Sequence, residues 1–202
     1  MPVTEHYFST EPSAPARIRE VSFDLAGQHY TLAASGGVFS AERLDPGTSV
    51  LLRKAELPGQ GTEGILLDLG CGYGPIAKVL ATVAPKATVW AVDVNSRARE
   101  LTAENTKGLN VFVAEPDKVP SEMKFDQIWS NPPIRVGKTE LHGLLEKWLP
   151  RLADDGVAWL VVGKHKGADS LQAWLNELGW TARRHASAAG FRVLKVVRGK
   201  AG

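Results

Sequence analysis

The sequence predicts an α/β fold: a mostly parallel, doubly wound sheet of seven strands, with an antiparallel C-terminal edge hairpin and a small N-terminal β-hairpin extension. Three observations carry this expectation. From Ile65 onward, short apolar strands alternate with helical runs, the pattern of a parallel sheet covered by helices on both faces. The first of those strands, ILLDL, passes directly into a glycine-rich turn, GCGYGP, which opens a helix. The last two strands, WTARRHA and FRVLKVV, meet through Ala188-Ala189-Gly190, which reads as a hairpin.

Taken in order, REVSFDL and QHYTLAA read as two strands turning at Ala26-Gly27, and a helical run follows around TSVLLRKAEL. Pro58, Gly59 and Gly61 mark a loop. We therefore expect an N-terminal hairpin or cap over residues 1–60 and a catalytic domain over 61–202. Within the latter, ILLDL is a short strand, apolar but for Asp68, and a helix runs to about Val83. ATVWAVDV is the second strand, and Asn95 caps the next helix. NVFVAE and FDQIWS are the third and fourth strands. A helix from about Thr139 to Leu152 leads to GVAWLVVG, and a helix around SLQAWLNELG precedes the final hairpin.

Composition bounds the function without naming it. The chain has 202 residues, 44% hydrophobic and 23% charged, which is globular rather than disordered. The formal net charge of +2 does not by itself imply nucleic acid, but the charge is unevenly placed. From Lys164 onward the chain carries Lys164, Lys166, Arg183, Arg184, Arg192, Lys195, Arg198 and Lys200 against Asp169 and Glu177 alone. This reads either as a phosphate-attracting face or as a solvated surface. A single cysteine, Cys71, excludes an intrachain disulfide and fits a reducing cytosol. MPVTEHYFST has no apolar core for a signal peptide, and no apolar run approaches the roughly 20 residues of a membrane span, so a cytoplasmic protein is expected. His142 and His165 lack metal-like spacing, so no metal is expected.

The glycine loop specifies its ligand more closely. Gly70, Gly72 and Gly74 allow a tight turn and close backbone approach. A dinucleotide site would place its third glycine at position 75, where this chain has Pro75, suited to the first turn of a helix. Asp68 ends the strand two residues before the loop, which disfavours a pyrophosphate and favours a cationic ligand. Asp93 lies 19 residues past Gly74, where an acid takes ribose hydroxyls. Together they describe a pocket for a positively charged nucleoside, S-adenosylmethionine (SAM). Cys71, inside the loop, reads as a small residue under a helix.

The second motif is SNPPIRVGK, which follows the fourth strand. Asn131 precedes proline and is pushed to an extended conformation; neither Pro132 nor Pro133 offers an N–H. The end of this strand should face the same crevice as the glycine loop. Its polar groups are then acceptors: the Asn131 side-chain oxygen and the Pro132 carbonyl. Two acceptors holding both N–H bonds of an exocyclic base amine turn its lone pair toward a methyl donor. A rigid turn ending a strand is the plainer alternative.

DLGCGYGPIA, AVDVN and SNPPI resemble the class I SAM-dependent methyltransferases of amino nitrogens, a Rossmann-like fold. HYFS near the start, GVFS at Gly37–Ser40 and FRVLK at Phe191–Lys195 are similar to the ribosomal RNA guanine-N2 methyltransferases of the small subunit. That resemblance implies SAM held by Asp68, Gly70, Cys71, Gly72, Gly74, Asp93 and Val94, with Glu115 near the adenine amine. It implies Asn131, Pro132 and Pro133 as the catalytic loop, Asn131 also bordering the cofactor. Phe39 would cover the pocket or stack on a flipped base, or anchor the N-terminal cap. Ile134 stands where many members have a stacking aromatic, and Arg135 and Lys138 either grip phosphate or lie at a helix start. The expected substrate is ribosomal RNA or the small subunit, the expected state a monomer. The small-subunit enzymes carry an extra domain ahead of the catalytic one, so RNA recognition here is expected from the chain's own surface or a partner. Adenine N6 and protein glutamine remain open as acceptors, as does a non-catalytic RNA-binding module.

Overall fold

The structure, a computed structural model, describes residues 18–35, 43–132 and 137–199. Strands β1 (Ile18–Leu25) and β2 (Gln28–Ser35) pair antiparallel across Ala26-Gly27, which turn at positive φ. Helix α1 (Pro46–Lys54) follows. The chain then alternates β3 (Ile65–Leu69), α2 (Pro75–Val83), β4 (Thr88–Val92), α3 (Ser96–Asn105), β5 (Val111–Ala114) and β6 (Phe125–Ser130). It continues through α4 (Lys138–Trp148), β7 (Leu152–Gly163), α5 (Ala168–Glu177), β8 (Trp180–Ala188) and β9 (Phe191–Arg198). Seven strands form one sheet in the order β5-β4-β3-β6-β7-β9-β8. β3 to β7 are mutually parallel, and β9 pairs antiparallel with both β7 and β8. This is the mostly parallel sheet, antiparallel C-terminal hairpin and two-stranded N-terminal extension that the pattern predicts.

Strand residues alternate between two apolar layers, as the period of two requires. Leu66, Val89, Trp129, Trp159 and Val193 pack toward α1, α2, α3 and the hairpin residues Val21, Tyr30 and Leu32. Leu67, Ile128, Leu160, Leu194 and Val196 pack on the other face with Leu141, Leu145 and Trp148 of α4 and Leu171 and Leu175 of α5. The hairpin therefore shares its apolar cluster with the main sheet.

A buried amide fastens it there. Asn105, at the end of α3, accepts from the Ala33 N–H (2.8 Å) and donates to the Ala33 carbonyl (2.8 Å), as a neighbouring strand would. It also donates to the Tyr73 carbonyl at 2.7 Å, so one side chain ties the hairpin to the glycine loop.

Two boundaries depart furthest from expectation. The helix expected to reach Leu152 ends at Trp148 and tightens into a 3₁₀ turn over Leu149–Arg151. Pro150 has no N–H to continue an α-helix. β7 starts at Leu152 rather than Gly156, pairing with Phe125 before a register shift. Leu152 is a buried apolar anchor whose carbonyl accepts from Arg198 Nη2, and the polar Asp154-Asp155 pair conceals the strand in the sequence. No helix among the described residues is long and apolar enough to cross a membrane.

Replacing Asn105 with Ala strands the Ala33 and Tyr73 backbone groups. We expect a loss of about 2–3 kcal/mol in denaturant unfolding, from unpaired buried groups at about 1–3 kcal/mol each. Faster amide exchange across Gln28–Ser35 should accompany it.

Candidate active site at the sheet switch point

The strand order places the site. From β3 the chain steps outward to β4 and β5, then returns to β6 on the other side of β3. Crossovers leaving β3 and β6 in opposite directions open a crevice beyond their carboxyl ends. Asp68 pairs with Trp129 in the register, and the buried Ser130 hydroxyl donates to the Leu69 carbonyl at 2.7 Å. The glycine loop after β3 and Asn131 after β6 therefore begin side by side.

Gly70, Gly72 and Gly74 all adopt positive φ. At Gly74 (φ 88°) a Cβ would lie 2.9 Å from Thr102 Cγ2 and 3.2 Å from Thr102 Cα, so the loop packs too closely on α3 for any side chain. The loop spends its donors internally. The N–H groups of Gly70 and Cys71 donate to the Val92 carbonyl, that of Gly72 to Asp93 Oδ2 at 3.0 Å, and that of Gly74 to the Cys71 carbonyl. A phosphate needs several converging N–H groups, and these four are already used.

Two carboxyls lie beneath the loop instead. Asp68 is fully buried; its Oδ2 accepts from the Ala77 N–H in the first turn of α2 at 2.9 Å, while Oδ1 has no hydrogen-bond partner among the described residues. Burial, and then the neighbouring Asp93 charge, push the Asp68 carboxyl up to about 8 against the pull of the Ala77 bond. Asp93 is raised by burial, opposed by N–H donation from Asn95 and Gly72 and by Arg99. An orphaned buried acceptor, a second buried acid and four loop amides already engaged fit a cationic nucleoside, the chemistry the sequence predicts. Arg99 contributes by donating to the Asp93 (3.0 Å) and Val94 (2.7 Å) carbonyls, which fixes the segment after β4.

The far side of the crevice is built by residues that sequence reading missed. Asn131 Nδ2 donates to Asp45 Oδ2 at 2.6 Å and to Thr48 Oγ1 at 2.9 Å. A carboxylate only accepts, so the Asn131 NH₂ must face Asp45 and its Oδ1 must face away. Asp45 is also the N-cap of α1, accepting from the Thr48 N–H. The run Asp45-Pro46-Gly47-Thr48 carried a legible helix-start signal, an acid cap with proline at the first turn. Its partner, 86 residues on, had none. Tyr73, also missed, is buried; burial and then the Asp45 charge raise its phenol well above the ordinary range.

The remaining expected residues divide. Pro132 is buried. Cys71 is buried with its thiol against Thr102 Oγ1 (3.5 Å), and burial raises the thiol well above its usual range, so it is packed under α3 rather than presented to a ligand. Glu115 follows β5, but its Oε1 accepts from Arg99 Nη2 at 3.0 Å, which ties up one of the two oxygens expected near an adenine amine. Arg99, Glu115, Ala114 and Val113 line an open pocket with Lys118 beside this pair. Lys138 is exposed in the first turn of α4. Phe39, Pro133, Ile134 and Arg135 lie outside the described residues, as does the segment before Ile18. Among the described residues no cluster of ligating side chains is arranged for a metal.

The C-terminal basic residues separate into two groups. Arg192 pairs with Asp169, Lys195 with Glu56 (2.8 Å), and Arg198 holds the Leu152 and Pro150 carbonyls. Lys164, Lys166, Arg183 and Arg184 are exposed. Lys164–Lys166 form a 3₁₀ turn directly after β7, at the same end of the sheet as Asn131.

Residues 29–195 match the model of the methyltransferase small domain. The uncharacterized protein YbxB of Bacillus subtilis is 39% identical over 182 residues, 87% of this chain and 90% of that one. The ribosomal RNA small subunit methyltransferase C of Aeromonas hydrophila is 39% identical over 128 residues, 61% of this chain and 36% of the relative. A solved T. thermophilus 16S rRNA N2 methyltransferase, in complex with AdoMet and guanosine, superposes with a TM-score of 0.77 at 26% identity. It covers 94% of this chain and 52% of its own, so this chain spans about half of that enzyme's length.

The Asp68 carboxyl makes the ligand-free protein sensitive to pH. Its folded pKa is raised, so its contribution is fully present below the unfolded value of about 3.9 and is lost as pH rises through about 8. Denaturation from pH 5 to 8.5 should show wild-type stability falling relative to Asp68→Asn, at up to about 1.36 kcal/mol per pH unit. Parallel curves for the two proteins would refute this account of Asp68.

Proposed function

The chain belongs to the methyltransferase small domain family, and from that premise we propose that it transfers a methyl group from SAM to the exocyclic N2 amine of a guanine in ribosomal RNA. The observation that carries the reading is the Asn131 amide, whose NH₂ is engaged by Asp45 and Thr48 so that only its oxygen is left for a substrate. The relatives named for action on small-subunit RNA, and the one solved with AdoMet and guanosine, support SAM as cofactor and guanine as acceptor.

SAM supplies an electrophilic methyl on a sulfonium. Asp68 and Asp93, beneath the glycine loop, offer acceptors to its cationic and ribose portions, and the positive charge of the ligand would favour the ionised form of Asp68. Gly70, Gly72 and Gly74, at positive φ, keep side chains out of its path. Asn131 Oδ1 and the Pro132 carbonyl accept the two N–H bonds of the base amine and direct the nitrogen lone pair at the methyl. The new N–C bond forms as the S–C bond breaks; the nitrogen, now cationic, sheds its proton toward these acceptors and solvent. Positioning of this kind supplies several kcal/mol, about 7–11 at most. The guanine must leave its stack, at a few kcal/mol, which favours a loop or a flipped base. Lys164, Lys166, Arg183 and Arg184 are the groups we assign to RNA phosphates.

Incubation with methyl-labelled SAM and unmodified small subunits or their RNA tests the reading, with DNA and total protein in parallel. The expected result is label in RNA that digests to N2-methylguanosine and falls about 10²-fold or more with Asn131→Ala. Label in DNA or protein would move the acceptor to an adenine N6 or glutamine amine, and SAM binding without transfer would favour a binding module.

Neutralising Lys164, Lys166, Arg183 and Arg184 together should raise KM for RNA with kcat preserved. The log–log salt slope of RNA binding should flatten by about 0.7 for each phosphate that is no longer neutralised. An unchanged slope would show that RNA is held elsewhere.

A further inference from the structure

We propose that Asp45 is a positioning residue for the reaction, holding the Asn131 amide so that its oxygen faces the acceptor amine; this rests on the methyltransferase reading above. Asp45 lies outside the glycine loop and outside the segment after β6, and stands at the start of α1, in the part of the chain read from sequence as a cap.

Four observations converge on it. The Asp45 carboxylate is buried, and Oδ2 accepts from both the Thr48 N–H (2.9 Å) and Asn131 Nδ2 (2.6 Å). Thr48 Oγ1 takes the second Asn131 N–H at 2.9 Å, so both amide protons are consumed on one side. Gly47 is needed for this approach: a Cβ there would sit 3.0 Å from Asp45 Oδ2, 3.2 Å from Asn131 Nδ2 and 3.0 Å from Phe191 Cε1. The Asp45 charge, after burial, also raises the buried Tyr73 phenol of the glycine loop.

The chemistry follows from the donor set. A side-chain amide on a strand end has two orientations of nearly equal shape, and the wrong one presents N–H groups to an amine that has only N–H groups to give. A carboxylate against Nδ2 removes that orientation, because Nδ2 can donate to it and Oδ1 would be repelled. A charge-assisted bond is also stronger than a neutral one and draws electron density toward Oδ1, which sharpens it as an acceptor. Asp45 touches neither substrate nor cofactor in this scheme; it acts through Asn131.

The test separates this role from helix capping. Serine caps a helix about as well as aspartate but is too short to reach Asn131, whereas asparagine keeps both the cap and an acceptor. Asp45→Ser should keep its melting temperature within a few degrees of wild type and bind SAM within about twofold. Its kcat for methyl transfer to small-subunit RNA should fall about 10²-fold, with KM nearly unchanged, the scale of a 1 Å misplacement. Asp45→Asn should recover kcat to within about tenfold of wild type. A kcat for Asp45→Ser within twofold of wild type would overturn the proposal, as would a loss confined to KM. A second readout needs no activity: the Asn131 side-chain NH₂ resonances, identified by their absence in Asn131→Ala. They should be protected from hydrogen exchange in wild type and exchange at least tenfold faster in Asp45→Ser. Exchange in wild type as fast as at exposed amides would overturn the proposal whether or not RNA is the substrate. Intact protection in a protein that methylates no RNA would count against the RNA reading alone.

Discussion

The seam between β3 and β6 is the constraint on which the rest depends. Parallel pairing sets Asp68 opposite Trp129, and the Ser130 hydroxyl closes the seam on the Leu69 carbonyl. Because the chain leaves these neighbours in opposite directions, the crevice at their carboxyl ends is a consequence of topology. The two motifs read from the sequence grow from those two strand ends: a glycine loop from one, an amide from the other. The apolar layers on either face keep the two ends in register.

Charge in the crevice is organised by what the backbone leaves over. Four loop N–H groups are taken by the Val92 and Cys71 carbonyls and by Asp93, so little remains to attract a phosphate, while two buried carboxyls remain to attract a cation. Holding Asp68 there disfavours its ionised form, and an incoming positive charge would offset that penalty. Opposite, the Asn131 amide is turned by a carboxylate so that the group facing outward is an acceptor. On the proposed reading, one wall takes a cationic methyl donor and the other an amine. The exposed basic residues Lys164, Lys166, Arg183 and Arg184 lie after β7 and on β8.

Local patterns are legible in the sequence and distant partners are not. ILLDL, FDQIWS and the glycine loop announce themselves because strand period, apolar runs and turn residues act over a few positions. Asn95 is readable as a cap for the same reason, and it does accept from the Ala98 N–H. The end of α4 is obscured although Pro150 is in view, since apolar spacing through Leu152 outweighs one missing donor. The start of β7 is hidden because its anchoring bond comes from Arg198, 46 residues away. Asp45 and Thr48 reach Asn131 across 86 and 83 residues, and Arg99 engages Glu115 from a different crossover. No spacing rule links such pairs; only the folded sheet does. The candidate site is therefore readable as two motifs, and the contacts that orient them are not.

The most direct test of the account is the structure of the protein bound to S-adenosylhomocysteine and guanosine. The guanine N2 should lie within about 3 Å of Asn131 Oδ1, with Nδ2 still held by Asp45 and Thr48. An Asn131 amide turned with Nδ2 toward the base, or a guanosine seated away from the end of β6, would contradict it.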